Sequence, residues 1–418
     1  MIPYGIPLRT RPRMTPKPDP KNPFVVGILA TGKALANRAA EVERIVAALT
    51  DVDRRLIYYG DRRMGKSSAL EEAAIRARKK GAKVAVADLA TATGMDDAAK
   101  RVLEAVYHEV GRSWRESIER IAGAVKARIS WTPPSAHGMG EFSLAIERGG
   151  ATAPTFFPET LKALNAELER RRLRIGLAID EFQRLFLWGG EDAQWALKSA
   201  IERHRQVAYV LTGSSKSVIA QFVASKKHGM WKAADALEFG PIAPEEMVHW
   251  IRKRSGETGV AMDVECAKGI VVTAGPRTRD IVQLARGVWD AARVRRGEAL
   301  RVAPRESVGP ALDAIVGEQA ALFTQLWTGL PRAQQRVLAV LAGLPDVQLL
   351  AEETLARFDL GAKSTVSTAL ESLMGEETLQ REKRRYVFDD PYYRRWVQLN
   401  IVGDLGRRVP DVLATSDG

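Results

Sequence analysis

Two short runs hold most of the chemistry open to this chain. The first is GDRRMGKS, residues 60–67, followed by Ser68. Its pattern G-x-x-x-x-G-K-[ST] lets backbone amides from Gly60, Asp61, Arg62, Arg63, Met64 and Gly65, together with the start of the following helix, converge on a chain of phosphates. Gly60 and Gly65 permit close backbone approach, Lys66 brings a point charge to the β and γ oxygens, and Ser67 offers a hydroxyl to Mg²⁺. The second run, GLAIDEFQ at residues 176–183, is an apolar strand ending in two carboxylates. Asp180 suits the Mg²⁺ shell and Glu181 suits the polarisation of an attacking water. In isolation an acidic helix cap accounts for the same pair, and the upstream phosphate loop is what gives it the catalytic reading. A hydroxyl cluster, Thr212, Ser214 and Ser215, ends another apolar run and is placed either to meet the γ-phosphate or simply to make a turn. In AGPRTRD, residues 274–280, Pro276 breaks a helix and sets Arg277 and Arg279 at the start of the next. Either guanidinium can reach back to a γ-phosphate, or both can lie in a solvated loop.

These residues need a scaffold, and the hydrophobic pattern supplies one. Apolar residues at helical spacing cover residues 37–49, and RLIYY at 55–59 is a short buried strand running into the Gly60 loop. A helix over 66–79, strands at 83–89, 174–180 and 207–214, and a helix before the last of these follow in alternation. That order predicts an α/β core with a parallel sheet covered on both faces. The expected organisation is a Pro-rich, basic extended arm at 1–23, a nucleotide-binding core at 24–240, a helical lid at 241–305, a unit at 306–403 and a tail at 404–418. The 306–403 unit reads helix, helix, helix, then the alternating segment LQREKRRYVFDD, which is the order of a winged helix-turn-helix. No internal repeat is evident.

Bulk properties narrow the field further. The 418 residues carry a formal charge of +12, which favours an acidic partner such as nucleic acid, although Arg-rich proteomes reach similar values without one. Cys266 is the sole cysteine, so no intramolecular disulfide or cysteine metal cluster can form and a reducing cytoplasm is the natural setting. The five histidines, at 108, 137, 204, 228 and 249, form no close pair at metal-site spacing, so a zinc mechanism is not expected. No stretch approaches a membrane span and the first residues lack the apolar core of a signal peptide, so no membrane partner is expected.

The phrases YGDRRMGKSS (59–68), AIDEFQRLF (178–186), VLTGSSKSVI (210–219) and DDPYYRRWV (389–397) resemble the archaeal-type ATPase family. This is a branch of the signal-transducing P-loop NTPases near the origin-recognition AAA+ proteins. The similarity extends from residue 37 to residue 396. It implies an AAA+ core, a helical lid and a C-terminal winged helix, with ATP and Mg²⁺ as ligands and ATP hydrolysis as the activity. The segment NRAAEVERI is similar to the family's N-R-E-x-E phrase beside the adenine, which makes Asn37 and Arg38 base-side candidates. Two departures stand out. Where many relatives place an arginine able to reach a neighbour's nucleotide, this chain has SKKHGMWKAAD with Lys226, Lys227 and Lys232, and lysine is the poorer planar clamp. The lid reads GPRTRD instead of G-G-x-P. Slow or partner-dependent hydrolysis is therefore expected, and self-association is in keeping with an AAA+ core.

In a winged helix the third helix enters the major groove and the wing follows the backbone. Here that helix spans 361–374, with Lys363, Ser364, Thr365, Ser367 and Thr368 outward and Val366, Leu370 and Leu373 inward. The wing adds Arg381, Lys383, Arg384 and Arg385. This set suits the phosphates of double-stranded DNA better than base edges, and a protein partner for the winged helix remains the other reading. The excursion between the second and third strands, with Trp114, Arg115, Lys126, Arg128, Trp131 and the turn-rich run 131–141, is a second candidate contact surface.

Overall fold

The computed structural model describes residues 21–127, 155–214, 219–220, 222–223, 225–230, 232–294, 302–382 and 385–403, and the backbone of 130–131 and 142–143. Residues 1–20 of the expected arm at 1–23, the tail from 404, Arg128, residues 132–141 of the turn-rich run at 131–141, Ser215, Lys383 and Arg384 lie outside the described residues, while Asn22 near the arm's end donates to Arg286 O at 3.1 Å.

A five-stranded, all-parallel sheet forms the base of the N-terminal part of the described residues. Its strands are β1 (Leu56–Tyr59), β2 (Val84–Asp88), β5 (Ile175–Asp180), β6 (Val207–Gly213) and β7 (Asp235–Glu238), in the order β2-β5-β6-β1-β7. Two two-residue strands, β3 (Ser130–Trp131) and β4 (Phe142–Ser143), pair antiparallel in the excursion. Alternation along the strands sorts side chains between two cores. Leu56, Tyr58, Ala178 and Val210 face a layer made by α1 (Ala39–Thr50) and α2 (Lys66–Lys79). Ile57, Leu177, Ile179, Tyr209 and Leu211 face α3 (Met95–Val110), α4 (Arg115–Ala124), α5 (Phe156–Arg170) and α6 (Arg184–Arg203). Trp114, named above within a candidate contact surface, packs instead in this second core, 5% exposed. Helix α6 is broken at Gly190, whose φ of 58° and ψ of −146° are non-helical.

Strand β7 was not foreseen. Its sequence, DALE, is polar and mostly exposed, as an edge strand permits, so it lacks the apolar run that marks its four neighbours.

The lid is helical as expected: α7 (Pro244–Gly256), α8 (Val264–Ala274) and α9 (Thr278–Val294). A small parallel pair, β8 (Ala261–Met262) with β9 (Val302–Ala303), adds strand where none was expected, because two residues are too few to show a period. Next come α10 (Val308–Glu318), α11 (Ala320–Gly329), α12 (Arg332–Gly343), α13 (Glu352–Arg357), α14 (Lys363–Gly375), the hairpin β10 (Leu379–Glu382) with β11 (Arg385–Phe388), and α15 (Pro391–Val397). In α14 the expected inward residues Val366, Leu370 and Leu373 are 1%, 2% and 0% exposed. Lid and winged helix share one continuous core from Trp250 and Trp289 to Trp396, with α10 packed against both α9 and α15. The winged helix is therefore seated on the lid by apolar burial, the non-directional term that dominates such contacts.

Candidate nucleotide site

The phosphate loop joins β1 to α2. Gly65 ends it at φ +89°, a left-handed conformation that costs glycine little and turns the first amides of α2 inward. Gly60 serves another purpose: a Cβ there would lie 2.3 Å from the carbonyl oxygen of Phe239, so its missing side chain lets the chain after β7 pass behind the loop. Lys66 is 6% exposed, and its Nζ donates to the carbonyls of Gly60 (2.9 Å) and Asp61 (2.7 Å). Burial lowers the ammonium from its ordinary value, against the pull of Glu181 and Asp180. A cation held by its own loop's carbonyls is available to phosphate oxygens at the cost of those two bonds.

Strand β5 delivers Asp180 beside the loop. Ser67 Oγ donates to Asp180 Oδ2 at 3.0 Å, in a pair whose partners lie 113 residues apart. Burial pushes the Asp180 carboxyl up to about 6, and the charges of Glu181 and Asp88 add to the rise. A dication on the Ser67–Asp180 side would favour the ionised carboxylate. Among the described residues no group of three or more His, Cys, Asp or Glu has metal-binding spacing.

Glu181 adopts φ +56°, unusual for a residue with a side chain. Its Oε2 accepts from Ser214 Oγ at 2.9 Å and from Gln183 Nε2. These groups line a cleft of about 1000 Å³, which also receives Arg62, Arg63, Gly65, Lys66, Ser67 and Ser68 from the loop. Its far wall is Thr278, Arg279 and Val282 of the lid and Glu377 of the winged helix.

Several expected residues stand elsewhere. Thr212 is fully buried, in register with Tyr58 on β1 and outside the cleft lining; the alternation that points Val210 under α1 and α2 points Thr212 the same way. Asn37 donates to Glu246 at 2.8 Å. Arg38, 4% exposed, donates to the carbonyls of Gly240 (2.6 Å) and Met64 (3.3 Å) and lies 4.1 Å over the Phe239 ring. It braces the phosphate loop against the chain leading to the lid, and neither it nor Asn37 lines the cleft. That wall is instead the apolar segment 25–30 with Ala34, Leu35 and Ala36. Two bonds tether this segment to α2: Ala30 N to Ser68 Oγ (3.1 Å) and Gly32 N to Glu72 Oε2 (2.7 Å). Pro276 also stays off the lining, and Asp61 and Met64 contribute backbone only behind it.

Arg277 departs furthest from expectation. It is 6% exposed and both guanidinium amines are taken by Asp389, one by its carbonyl and one by its carboxylate. Of the two lid arginines only Arg279 lines the cleft, and its backbone amide donates to Arg63 O at 2.9 Å. The loop arginines in turn touch the winged helix. Arg62 lies 2.9 Å from Glu377, and Arg63 lies 3.2 Å from Asp390 and 3.5 Å from Asp280. Burial alone would lower the Arg63 guanidinium, but Asp280, Asp390 and Asp389 together hold it above its ordinary value. Asp280 is raised as well, for a different reason: burial pushes it up to about 6 against the pull of Arg63. One cation shared by two carboxylates is well served, while the more deeply buried acid is not.

On the winged helix, Lys363, Ser364 and Thr365 are exposed at the start of α14. Arg381 is exposed on β10 with its guanidinium 6.0 Å from the Tyr386 ring, and Arg385 pairs with Asp346 at 2.6 Å.

Comparison with known proteins agrees with this architecture. A family described as a probable winged helix domain matches residues 321–399. A Walker-type ATPase of Pyrococcus abyssi superposes over 90% of this chain and 99% of its own, with a TM-score of 0.57 and 14% identity. The ORC1 protein of Aeropyrum pernix, solved in complex with DNA, matches over 90% and 95% with a TM-score of 0.46 and 17% identity. The RuvB Holliday junction branch migration motor of Thermotoga maritima matches over 88% and 96% with a TM-score of 0.41 and 13% identity. No curated protein matches the sequence. The chain has the α/β fold of this Walker-type ATPase, and its C-terminal residues 321–399 match the winged helix family.

Proposed function

We propose that this chain binds ATP with Mg²⁺, hydrolyses it slowly, and uses the nucleotide state to set how its winged helix meets double-stranded DNA. The observation that carries the reading is that Lys66, Ser67 and Glu181 line one cleft of nucleotide size while Ser67 Oγ donates to Asp180 just behind it. Ser67 Oγ and Asp180 would hold Mg²⁺, which when bound neutralises phosphate charge. Lys66 exchanges its two loop carbonyls for β and γ oxygens. Glu181 orients a water and takes its proton, Ser214 steadies that carboxylate, and Arg279 faces the phosphates from the lid. Helix α14 and the wing present the cationic surface to DNA. Copies of the chain assembling on DNA, in a cytoplasmic setting, complete the proposal. No helix among the described residues is long and apolar enough to cross a membrane.

The test is ATP turnover by the purified chain, with Lys66→Ala as control, with and without duplex DNA. Turnover that DNA stimulates and Lys66→Ala lacks supports the proposal, and nucleotide binding without turnover in either condition overturns it.

A second reading has its own support. The paired contacts Arg277–Asp389 and Arg63–Asp390 fasten the winged helix to lid and loop, as befits a scaffold that holds ATP and docks a protein partner through that domain. Absence of binding to random duplex DNA at low salt favours this reading.

A further inference from the structure

The expected site residues leave Gln183, a polar side chain of the cleft, without a role. Gln183 follows Glu181 by two residues, is 8% exposed, and lines the cleft. Its Nε2 donates to Glu181 Oε2, while its Oε1 is buried with no partner. An orphaned buried amide oxygen is unfavourable, and an apolar side chain of similar length would fill the space without it. The neighbouring backbone has also been cut away to admit the amide: a Cβ on Gly213 would lie 2.0 Å from Gln183 Oε1. Reversing the amide would set Oε1 against the carboxylate, so Glu181 itself fixes which end faces it.

The donors around Glu181 are one-sided. Among the described residues Oε2 receives Gln183 Nε2, Ser214 Oγ and the Ser214 amide (3.4 Å), and no donor falls on Oε1. The left-handed backbone at Glu181 carries a strain that persists only where surrounding contacts fix it. The geometry points to Gln183 as a positioning residue: seated in the notch left by Gly213, it anchors one oxygen of Glu181 so that the other is presented to water. This rests on the reading of Glu181 as the base, and it adds a residue that neither the phosphate loop nor the paired carboxylates indicate.

The test is a double-mutant cycle on ATP turnover, with binding of a fluorescent ATP analogue measured alongside. Gln183→Met keeps length and volume but removes the donor, and should lower kcat about tenfold while the analogue's Kd stays within about threefold. In a Glu181→Gln background the same substitution should change kcat by less than about twofold, because a residue acting through Glu181 has nothing left to act on. Gly213→Ala, which displaces the amide without touching its chemistry, should lower kcat in the same way. Equal losses in both backgrounds would mean a merely structural role and overturn the assignment. An unchanged or higher kcat for Gln183→Met would also overturn it, the rise meaning that the amide holds Glu181 away from water. If Glu181→Gln itself leaves turnover intact, the base reading falls instead, a pattern distinct from failure of Gln183→Met alone.

Discussion

Arg63, in the phosphate loop, lies 3.2 Å from Asp390, which opens the last helix of the winged helix domain 327 residues later. The same guanidinium is 3.5 Å from Asp280 of the lid, and Tyr392, two residues after Asp390, donates its hydroxyl to Asp280 O at 2.7 Å. Loop, lid and winged helix therefore meet at one cation that also lines the nucleotide cleft. Ligand phosphates that draw on Arg63 compete with Asp390 for it, which gives the cleft a direct route to the winged helix.

Asp390→Asn tests that route with little collateral damage. Asp390 caps α15 by accepting from the amides of Tyr392 and Tyr393, and asparagine preserves this capping while removing the charge. The expected loss in stability is about 1 kcal/mol, and amides of α15 should exchange hydrogen faster without nucleotide. Exchange at the wild-type rate would mean that the apolar seat on α10 alone holds the domain.

Asp280 gives the assembly a pH dependence. Its carboxyl is pushed up to about 6 by burial, above an unfolded value near about 3.9. The folded chain thus binds this proton more tightly than the unfolded one. The resulting stabilisation is fully present below about pH 4 and is lost as pH rises through about 6, amounting to about 3 kcal/mol at most. Melting temperatures from pH 4.5 to 7.5 should show the wild type losing ground against Asp280→Asn as pH rises. A constant difference between the two would exclude this carboxyl as the source.

The lid arginines should separate cleanly. Arg279→Ala is expected to weaken ATP binding about tenfold or more with little change in melting temperature, since its side chain faces the cleft. Arg277→Ala should do the reverse, leaving Asp389 short of its buried partner at a cost of about 3 kcal/mol while nucleotide affinity changes little. Loss of affinity in Arg277→Ala comparable to that in Arg279→Ala would return Arg277 to the nucleotide.

That swap marks where sequence reasoning runs out. Strand, loop and helix around Lys66 are local, so the phosphate loop and the four apolar strands were legible, as was Asp180 at a strand end. The inward face of α14 was legible for the same reason. Arg277 and Asp389 are 112 residues apart, and nothing near either one specifies the other. Arg38 was a base-side candidate through the likeness of NRAAEVERI to the family's phrase, yet the acceptors it finds are the Glu41 carboxylate and backbone carbonyls at 64 and 240. Thr212 was the avoidable miss: strand alternation through Val210 already places it under α1 and α2. Gln183 stood within the quoted motif, but its notch is made by a glycine on another strand.

The winged helix offers a last test, in which charge and geometry lead to different strengths. Lys363 and Arg381 are both exposed, on α14 and on the wing, and among the described residues neither is paired with a carboxylate, so both can reach phosphates. Arg385 must first leave Asp346, although that pair is open to water and costs little to break. Removing Lys363 and Arg381 together should therefore lower affinity for random duplex DNA and reduce the slope of log K against log salt by about two. Arg385→Ala should reduce it by less than about one, because Arg385 is already paired with Asp346 and offers the backbone only part of its charge. The measurement is fluorescence anisotropy of a labelled duplex from low to moderate salt. A slope unchanged in the double variant would remove this face of the domain from DNA and leave a protein as the ligand of the winged helix.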